Sequence, residues 1–275
     1  MHQAGPIGVF DSGYGGLTVL KEIVQKLPQY NYIYLGDNAR SPYGTRSFET
    51  VYQYTLQCVQ WFFQQGCHLV ILACNTASAK ALRSIQQKDL PRIAPDKRVL
   101  GVIRPTTEII GSLTQTKQVG ILATSGTVLS NSYPVEVHKF YPNVQVHQQA
   151  CPMWVPLVEN NEHNSKGADY FVKEYLNQLL SKHPNIDTLL LACTHYPLLL
   201  QKIREYTPAD TNIVSQGGIV AASLQDYLQR HPQMQSRCLQ QPGVSFYTTD
   251  DPADFDTKAT IFYGSPLQSQ HANLL

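Results

Sequence analysis

Two cysteines share a setting that suits chemistry. Cys74 lies in "LVILACNTAS" and Cys193 in "TLLLACTHYP", so each follows an apolar run and an alanine and precedes polar residues. A free cysteine usually behaves as a small buried hydrophobe. Cys58, Cys67, Cys151 and Cys238 lack this setting and take that reading. An unperturbed thiol has a pKa of about 8.5, and a helix N-terminus lowers it; a helix is predicted after both cysteines. A redox pair favours C-x-x-C, which is absent. A structural zinc site wants four ligands, and only Cys74, Cys193 and His195 suggest themselves. A thiol hydrolase needs one cysteine with a histidine, which leaves the second thiol without a task. Inverting a stereocentre needs a base on one face of a carbon and an acid on the other. Two opposed thiols supply both, so inversion fits best.

The neighbouring turn residues suit a small cleft. Asp11 and Ser12, in "FDSGYGG", end an apolar run. The aspartate can orient an ammonium group or help a thiol ionise, and either residue can instead cap a helix. Asn75, Thr76 and Thr194 offer amide and hydroxyl donors beside helix N-termini, a natural place for carboxylates. His195 can exchange a proton with Cys193 or serve as a buried structural histidine. "GYGG" matches neither the dinucleotide nor the Walker phosphate loop.

These turns need a scaffold that brings strand ends together. "PIGVF", "NYIYLGD", "HLVILA", "QVGILA" and "TLLLA" read as strands. Helices are predicted over "LTVLKEIVQKL", with Leu17, Leu20, Val24 and Leu27 at helical spacing and Pro28 closing it. Another is predicted from about Arg46 to Gln65, with Phe48, Val51, Thr55, Val59 and Phe62 on one face. Alternating strands and helices predict an α/β fold with mainly parallel sheets flanked by helices, and ligands at the strand C-termini. The chain also resembles itself. "IGVFDSG" matches "VGILATSG" at an offset of 112 residues, from Ile7 to Val119, and "LVILACNT" matches "TLLLACTH" at 119, from Cys74 to Cys193. A duplication into two similar domains follows, with crossings near Arg104 and Gly217. The expected first domain is residues 1–103 plus 217–275, and the second is 104–216. The tail is read as one helix, "GIVAASLQDYLQ", and two strands, "VSFYTT" and "ATIFYG".

The 275 residues are 43% hydrophobic and 15% charged, with formal net charge +1. That composition supports a large core and argues against a broad footprint for nucleic acid or anionic membrane. The apolar runs are too short to span a bilayer. The start, "MHQAGPIGVF", has no signal-peptide pattern, so a cytoplasmic protein with reduced thiols is expected.

Together "IGVFDSGYGGLTVLKEI", "YLGDNARSPYGTRS", "LVILACNTASA", "VGILATSGTVLSNSY", "CPMWVPLVE" and "LLLACTHYPLL" resemble, in order, the sequence blocks of the glutamate racemase family. The resemblance implies two α/β domains related by pseudo-twofold symmetry, with glutamate held between them. It implies L- and D-glutamate interconversion without cofactor or metal, supplying D-glutamate for peptidoglycan. Matched residue by residue, the two bases fall on Cys74 and Cys193. Substrate contacts fall on Asp11, Ser12, Tyr43, Gly44, Asn75, Thr76, Thr194 and His195, with Thr124 a further one. Glu159 and Asp11 are implied to assist Cys74, and His195 to assist Cys193. A homodimer is expected, with no nucleic-acid or membrane partner. Two departures stand out: Arg104 in "GVIRPT", and "VSQGG", which lacks an acidic residue expected after the late strand. A racemase of aspartate, hydantoins or another small acid is the sibling reading. A non-catalytic amino-acid-binding or partner-binding protein is the alternative from another class.

Overall fold

The computed structural model describes residues 3–274. Among the described residues ten strands form two sheets, and every strand pairing is parallel. The strands are β1 (Ile7–Asp11), β2 (Asn31–Gly36), β3 (Leu69–Leu72), β4 (Arg98–Gly101), β5 (Gln118–Ala123), β6 (Gln145–Ala150), β7 (Thr188–Ala192), β8 (Asn212–Val214), β9 (Gly243–Thr248) and β10 (Ser269–His271). The first sheet runs β10-β9-β2-β1-β3-β4 and the second β6-β5-β7-β8. Four strands of each sheet thus follow one plan, with the first strand of the round between the second and third. The duplication legible in the sequence is a duplication of topology. The central strands β1, β3 and β7 are buried along their whole length, as their unbroken apolar runs require.

Helices cover both sheets. Helix Leu17–Lys26 buries Leu17, Leu20 and Ile23 and packs on helix Gly217–Arg230, which buries Val220, Ala221, Leu224 and Leu228. Helix Phe48–Gln64 starts at the Ser47 cap, whose hydroxyl accepts from the Thr50 N–H at 3.1 Å. Its core face is Val51, Thr55, Cys58, Val59 and Phe62, whereas Phe48 is half exposed. One expectation fails. "ATIFYG" was expected to be a strand, but Ala259–Tyr263 belongs to helix Pro252–Tyr263. Asp251 caps that helix, Pro252 occupies its first turn and Gly264 closes it in the left-handed conformation. Phe255, Ala259 and Phe262 then fall on its buried face at helical spacing. Arg104 is largely exposed and pairs with Glu108 one turn on, an ion pair of small energetic weight.

Asp187 fastens the entry to the second sheet. Its carboxylate accepts from the Thr114 hydroxyl (2.6 Å), the Gln115 and Thr116 N–H groups (2.7 and 2.9 Å) and the Thr188 hydroxyl (3.0 Å). Partial burial works against ionisation, but these bonds overcome it and hold the carboxyl at about 2. Asp187→Asn is expected to destabilise the protein by about 1–3 kcal/mol at neutral pH in urea denaturation. A depressed carboxyl stabilises above its ordinary value of 3.8 and ceases to do so as pH falls through about 2. The deficit of the variant therefore shrinks over that window.

Candidate active site

The strand register brings the two cysteines to equivalent places. In the first sheet Phe10 of β1 faces Leu72 of β3, so the chain beyond sets Ser12 beside Cys74. In the second, Ala123 of β5 faces Ala192 of β7, which sets Thr124 beside Cys193. Both turns open on one cavity of about 110 Å³ at the strand C-termini. From the first sheet's side it is lined by Asp11, Ser12, Tyr43, Gly44, Cys74, Asn75 and Thr76, and from the second's by Thr124, Glu159, Cys193, Thr194 and His195. All twelve residues singled out in the sequence meet there. No group of three or more His, Cys, Asp or Glu side chains among the described residues is arranged to hold a metal ion.

Cys74 is 5% exposed and caps helix Asn75–Lys80, with its Sγ accepting from the Ala77 N–H at 3.4 Å. Ser12 Oγ lies 3.5 Å from the same sulfur. Burial, and after it the nearby Asp11 carboxylate, push this thiol up to about 12, against the pull of the Ser12 and Ala77 hydrogen bonds. Cys74 therefore carries its proton at neutral pH. Asp11, 1% exposed, accepts from the Gly13 N–H at 3.0 Å and from the Thr194 hydroxyl at 3.5 Å. Its carboxyl is raised by burial, with His195 and the Gly16 and Gly13 N–H groups opposing.

The Cys193 side is wired differently. Cys193 Sγ lies 3.9 Å from His195 Nδ1, and His195 Nε2 lies 2.9 Å from Glu159 Oε1. Burial disfavours the imidazolium, but hydrogen bonds to Cys193 and Glu159 outweigh it and raise His195 to about 10. Glu159 was expected to assist Cys74; in the structure its partner is His195. The cause lies in packing. Helix Trp154–Glu159 sits on the turn Tyr196–Leu199, the Trp154 and Tyr196 rings meet edge to face at 4.7 Å, and the Tyr196 hydroxyl donates to the Cys151 carbonyl at 3.2 Å. The glutamate at the end of that helix is thereby held to the turn that carries His195.

Gly15 passes so close to this turn that a Cβ there would collide with Thr194 Oγ1 and His195 Nδ1. Gly15→Ala is expected to displace His195 and lower kcat about 100-fold, with a loss of folding stability of about 1–3 kcal/mol from overpacking. Steady-state kinetics alongside thermal unfolding separate the two effects.

Several contributors were not legible beforehand. Thr127, fully buried, sits 3.1 Å from Thr124 Oγ1, which in turn lies 2.9 Å from Thr76 Oγ1, so hydroxyls from both sheets join. Asp37, directly after β2, accepts from Arg40 Nε at 2.7 and 2.9 Å, from the Thr249 hydroxyl at 2.9 Å and from the Tyr43 hydroxyl. The Tyr43 hydroxyl proton is thus committed, and the 38–46 loop is tied to β9. The signal was present: Asp37 directly follows its strand, much as Asp11 ends the first. Pro152, Val155 and Pro156 add an apolar wall.

Two repeated α/β units presenting one thiol each to a shared cavity define a class of two-thiol cleft proteins. The chain belongs to the Asp/Glu/Hydantoin racemase family, whose model matches residues 7–222. It is 37% identical over 270 residues to a glutamate racemase of Streptococcus suis, covering 98% of each chain. Among solved structures, the glutamate racemase isoform RacE1 of Bacillus anthracis superposes with a TM-score of 0.89 at 33% identity, over 99% of each chain. The glutamate racemase of Francisella tularensis, solved in complex with D-glutamate, gives 0.87 at 32% identity over 98% of each.

Proposed function

We propose that this protein interconverts L- and D-glutamate by proton transfer at the α-carbon between Cys74 and Cys193. The observation that carries the reading is the unequal wiring of two equivalent thiols around one cavity. Burial beside Asp11 keeps the proton on Cys74. His195, held protonated by its hydrogen bonds to Cys193 and Glu159, stands against the sulfur of Cys193. One sulfur then removes the α-proton while the other delivers a proton to the opposite face, and the return reaction exchanges their roles. The α-proton is weakly acidic, so the developing negative charge on the substrate carboxylate needs donors. Asn75, Thr76, Thr194 and the helix beginning at Asn75 supply them at the cavity.

In this reading the reaction uses no cofactor or metal, and its D-glutamate serves peptidoglycan synthesis. Residues 1–103 with 217–275 and residues 104–216 act as the two lobes that close on substrate. The protein works in the cytoplasm as a homodimer; no helix among the described residues is long and apolar enough to cross a membrane. The test is to incubate reduced, chelator-treated protein with D-glutamate in deuterated water. Optical rotation and the α-proton signal are followed together, with aspartate and hydantoins in parallel. Loss of both signals for glutamate supports the reading. A retained α-proton and constant rotation for glutamate, with turnover of another acid, would transfer the assignment to that acid.

A further inference from the structure

The segment "VSQGG" contains a side chain that the proposed chemistry has not used. Gln216 is 4% exposed and lies just ahead of helix Gly217–Arg230, where the chain returns from the second sheet to the first. Its Oε1 accepts from Asn75 Nδ2 at 2.7 Å. Its Nε2 faces the Tyr133 hydroxyl at 2.8 Å, the Thr106 hydroxyl at 2.9 Å and the Val102 carbonyl at 3.2 Å. Tyr133 donates to Asn75 Oδ1 at 2.6 Å, which closes a ring of three buried side chains. Val102 and Thr106 belong to the outward passage between the sheets, Gln216 to the return passage, and Asn75 follows Cys74 directly. One amide therefore touches both passages and the residue beside a reacting thiol.

The ring also has a polarity. A backbone carbonyl only accepts, so Val102 requires the nitrogen of Gln216 to face it. That turns Oε1 toward Asn75, which must answer with Nδ2, leaving Oδ1 for the Tyr133 hydroxyl. One Nδ2 hydrogen of Asn75 is thus taken and the amide cannot reverse. We infer that Gln216 is a positioning residue that fixes the Asn75 amide, and with it a donor of the cavity, to the junction of the two passages. This rests on the proposed racemase reading, with Asn75 as a substrate donor.

Gln216→Met keeps the volume and removes the ring's polar link. It is expected to raise the KM for both glutamate enantiomers about tenfold, with a smaller change in kcat. In an Asn75→Ala background the same substitution is expected to change KM less than twofold, because the residue it acts through is gone. Tyr133→Phe opens the ring at its other bond and is expected to behave alike, should Gln216→Met fold poorly. A substrate-free readout separates this inference from the choice of substrate. The Asn75 side-chain NH2 resonances, assigned by their loss in Asn75→Ala, should form a well-separated pair in the parent protein and collapse toward free-amide positions in Gln216→Met. Unchanged amide resonances, or a KM effect that persists undiminished without Asn75, would overturn the inference. A parent protein inactive on glutamate, with the resonance change present, would instead remove only the substrate assignment.

Discussion

Alanine at either Cys74 or Cys193 is expected to lower racemisation about 1000-fold, within the range for loss of a positioned acid or base. Both variants should fold, since each replaces a small buried side chain with a smaller one. The equilibrium constant between enantiomers is one, so kcat/KM must fall equally in the two directions for each variant, and rates alone cannot say which face a thiol serves. Exchange can. With one thiol left, the remaining sulfur can still remove and return a proton on its own face. Cys74→Ala is therefore expected to retain α-proton exchange with solvent for one enantiomer only, and Cys193→Ala for the other. Proton NMR of each pure enantiomer in deuterated water reads this directly. Full racemisation by either variant, or exchange of the same enantiomer by both, would reject the assignment of one thiol to each face.

The cysteine turns were legible because two signals coincide there. A short apolar run bounded by turn residues suits a buried strand, and a polar turn after it marks the strand end where parallel sheets gather ligands. Repetition of that pattern at Cys74 and Cys193 then carried both the duplication and the pairing of the thiols. Edge strands gave no such signal. β6, "QVHQQA", is mostly half-buried, and β8 and β10 are three residues long, so none shows an apolar run. The helix at 252–263 was misread because "ATIFY" has strand-like composition, although the Asp-Pro start and the Phe255–Ala259–Phe262 spacing pointed the other way. The partner of Glu159 was out of reach for a different reason. Which side chain that glutamate meets depends on where its helix docks, and the Trp154–Tyr196 contact beside it joins residues far apart in the chain. The same holds for Gln216, whose three side-chain partners are at least 83 positions away.

Glu159→Gln is expected to move the alkaline limit of activity downward by a pH unit or more and to lower kcat about tenfold at neutral pH. The amide keeps the size of the side chain and an acceptor for His195 Nε2, but it removes the negative charge 2.9 Å from the ring. Burial alone would drive the imidazolium to deprotonate; Cys193 and Glu159 together hold it protonated up to about 10. Without Glu159 the burial penalty weighs more and the imidazole loses its proton at lower pH, so the sulfur of Cys193 faces a neutral ring over more of the alkaline range. Folding stability should follow the same sign. A histidine held above its ordinary value of 6.5 stabilises fully below that pH and ceases to do so as pH rises through about 10. The parent protein should therefore lose stability across that window more steeply than Glu159→Gln. His195→Asn supplies the control: it removes the titrating ring, so its remaining activity should lack this alkaline limb. An alkaline limb that stays in place in Glu159→Gln would mean that the glutamate does not govern the protonation of His195, and that the hydrogen bond between them serves only to orient the ring.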